Sequence, residues 1–187
     1  PRPDTELLVE TALDLLPGTP ARVLGLGTGS GAIALALASE RAAWHVTAVD
    51  RILEAVALAE RNRQRLHLQN VTVLTSHWFS ALADQRFDLI ISNPPYIATG
   101  DVHLAEGDVR FEPASALVAG PDGLDDIRDI IAAAPQHLNA GGWLMLEHGY
   151  DQAAAVRTLL QDNGFKCVES RKDLGTHERI TLGRLPC

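Results

Sequence analysis

Cysteine is scarce in this chain: Cys167 and Cys187 are the only two among 187 residues, too few and too far apart for a disulfide framework or a thiolate metal site. Cys167 reads as a small buried hydrophobe and Cys187 as a tail residue. The seven histidines show no His-Glu-x-x-His spacing, so no metal is expected. Basic residues are also in deficit. Lys and Arg number 16 against 24 Asp and Glu, a formal charge of −8, which argues against a surface built to grip nucleic-acid phosphates. No apolar stretch approaches the ~20 residues of a membrane helix, and no basic-then-apolar signal segment opens the chain. Internal repeats and low-complexity tracts are missing too. The sequence begins at Pro1 and its one methionine is Met145, so a fragment or processed product is expected.

What remains is an ordinary globular composition, 46% hydrophobic and 21% charged, sufficient for one domain with a substantial core. Short apolar runs alternate with helical patterns, the signature of a parallel sheet with crossover helices. The strand pattern falls on Arg22 to Leu26, His45 to Val49, Val71 to Leu74, Phe87 to Ser92, Gly142 to Leu146, Phe165 to Ser170 and Arg179 to Leu185. Helical periodicity covers Asp4 to Leu16, Gly31 to Ser39, Leu53 to Arg65, Leu124 to Leu138 and Gln152 to Gln161, with Pro135 set to kink or end the fourth. The first five strands read as a doubly wound α/β sheet. The segment Arg171 to Glu178 is too short for a helix, so the last strand returns antiparallel to its neighbour. Between Tyr96 and Leu124 lies a long segment without period, expected to form a flap on the substrate side.

Two motifs carry chemistry. Asn93-Pro94-Pro95-Tyr96 directly follows the apolar run Phe87 to Ser92. Proline has no N–H and a fixed φ, so the pair offers carbonyl acceptors, no competing donors and a stiff loop. The Asn93 amide oxygen and the Pro94 carbonyl can each accept a hydrogen of a substrate –NH₂, with the Tyr96 ring over the flat group. That points to methyl transfer onto a planar nitrogen; the alternative is a turn that merely ends a strand.

The second motif is Gly25-Leu26-Gly27-Thr28-Gly29-Ser30-Gly31, which follows the first strand and opens a helix. Its glycines allow a sharp turn and close ligand approach, and free amides with the helix dipole would favour an anionic group. Asp50 ends the second strand about 20 residues on, where a carboxylate accepts from ribose hydroxyls. Gly27, Gly29 and Ala32 also satisfy a dinucleotide pattern, so a nicotinamide oxidoreductase is not excluded by this motif alone. Trp78, past the third strand at the same sheet edge, is either a surface for adenine or a plain rim aromatic. His148 sits just past the fifth strand and reads as structural or solvent-facing.

Taken in order, Arg2-Pro3-Asp4-Thr5-Glu6, Gly27 to Gly31, Asp50, Trp78-Phe79, Asn93 to Tyr96, Val109 to Pro113, Leu146-Glu147 with Gly149, and Glu178-Arg179 resemble the HemK/PrmC family of S-adenosylmethionine-dependent methyltransferases. That family modifies the glutamine of a Gly-Gly-Gln loop in peptide-chain release factors. The resemblance implies a Rossmann-like class I methyltransferase fold, seven strands with the last antiparallel, spanning residues 1–187 as a catalytic domain. It implies S-adenosylmethionine held by Gly27, Thr28, Gly29, Ser30, Gly31, Asp50, His77, Trp78 and Asn93, with S-adenosylhomocysteine as product. Substrate glutamine would be held by Asn93, Pro94, Pro95 and Tyr96, of which Asn93, Pro94 and Tyr96 carry the catalytic step. A cytoplasmic enzyme of translation termination is implied, with release factors as partners and neither membrane nor direct nucleic-acid contact.

Three departures stand out. The family usually has Asp where this chain has Gly25 and again where it has His77, both bordering the cofactor, and it carries a small helical substrate-docking domain ahead of the segment starting at Pro1. An imidazole accepts a hydrogen bond only when neutral and in the right tautomer, so donor binding is expected to weaken, more so as pH falls. These changes leave room for a weakened or non-catalytic binding module. The nearest enzymatic rival is an adenine amino-group methyltransferase acting on nucleic acid, against which the acidic charge weighs.

Overall fold

The structure, a computed structural model, describes residues 3–94, 120 and 122–187. Its elements follow the order α1 (Pro3–Leu15), β1 (Ala21–Leu26), α2 (Ala32–Glu40), β2 (Trp44–Asp50), α3 (Leu53–Arg65), β3 (Val71–Thr75), β4 (Phe87–Ser92), α4 (Asp125–Ala133), a 3₁₀ turn (Ala134–His137), β5 (Leu138–Glu147), α5 (Ala153–Asp162), β6 (Lys166–Lys172) and β7 (Glu178–Arg184). The seven strands form one sheet in the order β3-β2-β1-β4-β5-β7-β6. Pairings from β3 to β5 are parallel, and β7 runs antiparallel to both β5 and β6. The reversed last strand and the α/β architecture expected from the sequence are both present.

Strands buried on both faces read as continuous apolar runs, and β4 shows how the two faces are filled. Its Ile90 joins Leu24, Leu144 and Leu146 beneath α4 and α5, where Ile127, Ile130, Ile131, Val156 and Leu160 complete the layer. Leu89 and Ile91 point the other way, packing with Val23, Val46 and Met145 against Leu8 and Ala12 of α1 and Leu35 and Leu37 of α2. Three layers result. α3 carries Glu54 in its first turn and Arg63 and Arg65 in its last, matching the helix dipole at both ends.

Helix α4 stops at Ala133 and tightens into a 3₁₀ turn containing Pro135, because proline supplies no amide for the α-helical ladder. β5 therefore begins at Leu138, four residues before the start expected from the apolar run at Gly142. Cys167 corrects the sequence reading outright. It is exposed rather than buried, with φ at 53°, because the register between β6 and β7 shifts between Lys166 and Glu169; a bulge on an edge strand turns its side chains off the regular alternation.

Candidate active site

The sheet order places a crevice. The chain moves outward from β1 to β2 and β3, then returns to β4 on the other side of β1, so the connections leaving β1 and β4 diverge and open a cleft at the carboxyl ends of the strands. The two lips of that cleft are tied together beneath it: the Ser92 hydroxyl, at the end of β4, donates to the Leu26 carbonyl, at the end of β1, over 3.0 Å in the buried interior. The next residues are Gly27 on one side and Asn93 on the other.

Above this tie lies a cavity of about 190 Å³ whose lining includes Gly27, Gly29, Asp50, His77, Trp78, Asn93 and Pro94. Sequence reasoning named these seven, and the fold brings them together from four strand ends. Thr28, Ser30 and Gly31 belong to the same loop but are not among the lining residues. The Thr28 amide donates to the Val49 carbonyl over 2.9 Å and the Gly31 amide to the Thr28 carbonyl over 2.8 Å. Gly25 is buried in β1, where a Cβ would meet Ala34 of α2 at 3.8 Å, and it is not among the lining residues either. Pro95 and Tyr96, and the expected flap after them apart from residues 120, 122 and 123, lie outside the described residues.

Asp50 organises the glycine loop. Its Oδ2 accepts the Gly29 amide and its Oδ1 the Ile52 amide, each at 2.9 Å, and the residue is 8% exposed. A carboxylate offers about four lone-pair sites, so two backbone donors leave room for two more from a ligand. Gly27 and Gly29 adopt φ of 62° and 54°, the left-handed region that glycine enters without penalty. A Cβ at Gly29 would meet no atom within 4 Å, and at Gly27 it would rest 3.5 Å from the Trp78 ring. One sequence expectation is corrected here. The amides of Thr28, Gly29 and Gly31 all donate inside the protein, so they do not form a free cradle for an anion, and the argument for a pyrophosphate-bearing dinucleotide weakens accordingly.

The loop after β3 is held by its serines. Ser76 Oγ donates to the Trp78 carbonyl over 2.7 Å and accepts the Ala81 amide over 3.0 Å, while Ser80 Oγ accepts the His77 amide over 3.1 Å. Trp78 is fixed at φ 50° by this arrangement, a conformation uncommon for a bulky residue, and its ring is thereby set against Gly27. Residues of the cavity that sequence reading missed are Arg51, Ile52, Ala55, Ser76 and Asp126. The first two directly follow Asp50; Asp126 had no local signal, being an ordinary acid in the first turn of α4. Burial raises the Asp126 pKa, with Asp129 and Asp125 adding to the rise and Arg51 and His77 opposing it.

His148 is fully buried, away from these lining residues. Its Nδ1 lies 2.8 Å from the Gly149 carbonyl and its Nε2 2.7 Å from Thr181 Oγ1. Thr181 Oγ1 is 2.7 Å from Ser170 Oγ, which accepts from Arg157 at 2.7 Å. A carbonyl can only accept, so Nδ1 carries a proton toward Gly149, and the burial that disfavours the charged ring leaves Nε2 to accept from the Thr181 hydroxyl. This is the structural role anticipated for His148.

A sequence profile of the methyltransferase small domain matches residues 3–120. A release factor glutamine methyltransferase from Pseudomonas aeruginosa is 70% identical over 187 residues, covering 100% of this chain and 68% of that one. The chain belongs to the release factor glutamine methyltransferase family. The family's Escherichia coli member is 56% identical over 184 residues, 98% of this chain and 66% of its own, so the chain spans about two thirds of the length of these relatives. Solved structures show the same fold at lower identity. A methyltransferase from Pyrococcus furiosus superposes with a TM-score of 0.72 at 20% identity, over 99% of this chain and 83% of that one. A Thermus thermophilus 16S rRNA methyltransferase in complex with AdoMet and guanosine gives 0.71 at 24%, over 99% and 43%.

Proposed function

We propose that the chain transfers a methyl group from S-adenosylmethionine to the side-chain amide nitrogen of the glutamine in the Gly-Gly-Gln loop of a peptide-chain release factor, in the cytoplasm, and that residues 1–187 form the catalytic domain for this step. Family membership supports the reaction. The observation that carries the site assignment is that Asn93 and Pro94 line the same cavity as Asp50, Gly27 and Trp78. Among the described residues no helix is long and apolar enough to cross a membrane.

The cavity fits a nucleoside methyl donor. Asp50 retains acceptor capacity for a ribose diol after taking the Gly29 and Ile52 amides, Trp78 offers a flat apolar surface beside Gly27, and a Cβ on Gly29 would meet nothing within 4 Å beyond its chain neighbours. When bound, the donor supplies an activated methyl on a positively charged sulfur, so neither a metal nor a protein nucleophile is required.

Everything else falls to the chain. A glutamine amide is a weak nucleophile because its lone pair is delocalised into the carbonyl. Asn93, through its side-chain oxygen, and Pro94, through its carbonyl, accept the two amide hydrogens, which orients the nitrogen and favours localised electron density on it. The absence of an N–H on proline keeps the corner free of competing donors. Holding the reacting atoms roughly 3–3.5 Å apart and in line supplies several kcal/mol of the barrier. Incubation with methyl-labelled donor and a purified release factor, with a Gln-to-Ala acceptor as control, tests the assignment; label retained in that control, or transfer to nucleic acid instead, would count against it.

A further inference from the structure

Across the carboxyl edge of the sheet, the cavity's lining residues have a fixed order. His77 follows β3, Asp50 ends β2 and Ile52 follows it, Gly27 and Gly29 follow β1, and Asn93 and Pro94 follow β4. If the cavity takes the nucleoside donor proposed above, on which this inference rests, the reactive methyl belongs at the β4 end, the ribose at Asp50 and the base at the β3 end. Adenine has one exocyclic donor, its amino group, and ring nitrogens that only accept. The β3 end must therefore supply an acceptor. Ser76 Oγ is already engaged by the Trp78 carbonyl and the Ala81 amide. Asp50 is committed to two backbone amides and the ribose. Arg51 only donates, and His77 is an acceptor in one protonation state alone. Away from Asn93 and Pro94 at the β4 end, the remaining side-chain acceptor of the lining is Asp126, delivered from the first turn of α4.

We infer that Asp126 accepts a hydrogen bond from the exocyclic amino group of the donor's base and so makes the site selective for adenosyl over 6-oxo purine ligands. Arg51, His77, Asp125 and Asp129 surround this carboxylate electrostatically. Its four lone-pair sites admit both a cation and a ligand donor. A carboxylate partly stripped of water on a cavity wall is in an unfavourable state that a ligand N–H relieves, which agrees with its raised pKa. A 6-oxo base presents an oxygen at the same place, and two acceptors then face each other.

Calorimetric titration of this chain with S-adenosylhomocysteine and with its inosyl counterpart reads the effect directly. Wild type is expected to favour the adenosyl ligand by roughly tenfold or more, the usual range for a hydrogen bond to a charged group. Asp126→Ala should weaken the adenosyl ligand about tenfold, bind the inosyl ligand more tightly than wild type because the opposed acceptor is gone, and keep the melting temperature, while Asp126→Asn, which retains a carbonyl oxygen, should fall between. Equal affinity of wild type for the two ligands overturns the inference even if the variants fail to fold, as does an equal loss of both ligands in Asp126→Ala. Failure of wild type to bind either ligand removes the nucleoside-donor reading itself, a different result from tight binding without selectivity.

Discussion

The Gly29 amide donates to Asp50 Oδ2 over 2.9 Å, so the residue expected to hold the ribose also sets the shape of the loop beside it. Asp50 Oδ1 takes the Ile52 amide in the same way. Asp50→Asn should turn an –NH₂ toward one of these amides and lower stability by about 1–3 kcal/mol, the cost of an unmet buried donor. Denaturant unfolding measures that loss. Donor affinity should fall in parallel, and a variant that lost affinity with unchanged stability would show that the loop holds its shape without the carboxylate.

Asn93→Ala tests the acceptor corner. The substitution removes a contact to the reacting nitrogen and leaves Asp50, Trp78 and the glycine loop untouched, so kcat should drop by about 100-fold, the scale of loss from misplaced reacting atoms. Donor affinity by titration should change far less. An unaltered kcat would refute the role given to this amide.

Two glycines should respond oppositely to a methyl group. At Gly25 a Cβ meets Ala34 at an ordinary 3.8 Å, and a strand glycine carries excess unfolded-state entropy, so Gly25→Ala should stabilise by about 0.4–1 kcal/mol. At Gly31 the φ is 88° and the new atom would lie 3.2 Å from both Ala59 and Leu35. Gly31→Ala should therefore destabilise by more than about 1 kcal/mol. Midpoints of urea unfolding decide both signs.

His148 predicts a pH dependence. Burial is the main cause that lowers its pKa, Arg179 and Arg157 add to it, and the Gly149 carbonyl and Glu178 oppose it. The folded value lies below the unfolded value of about 6.5, so on acidification the unfolded chain takes the proton first. Stability is complete above about pH 6.5 and declines as pH falls toward the folded value, by up to about 1.4 kcal/mol per pH unit for this one group. His148→Gln should flatten that part of the stability profile. Superimposable slopes for the two proteins between neutral and mildly acid pH would remove His148 as the cause.

Much of this molecule was readable before any coordinate. The bounds of α3 and β4 match the sequence pattern end for end, because β4 is a short, mostly apolar segment set between polar Arg86 and Asn93 and α3 carries charges suited to its dipole at both ends. Gly27, Gly29, Asp50, Trp78 and Asn93 were legible because backbone chemistry at strand ends leaves local marks. Asp126 left none, since its value comes from where α4 is carried by the sheet order, and Cys167 misled because a bulge shifts alternation without changing composition. Sequence also could not reveal that loop amides donate inward, as that depends on the carboxylate 21 positions away.

The placement of β7 between β5 and β6 has a consequence for biogenesis. The strand made last of the seven is an interior one, so a nascent chain that has emerged only through Lys172 carries β6 without the one strand that pairs with it among the described residues and β5 with one edge bare. Sheet closure must wait for the segment from Glu178 to Arg184 to clear the ribosome, and a translational pause before that point would hold an incomplete, sticky edge in the open.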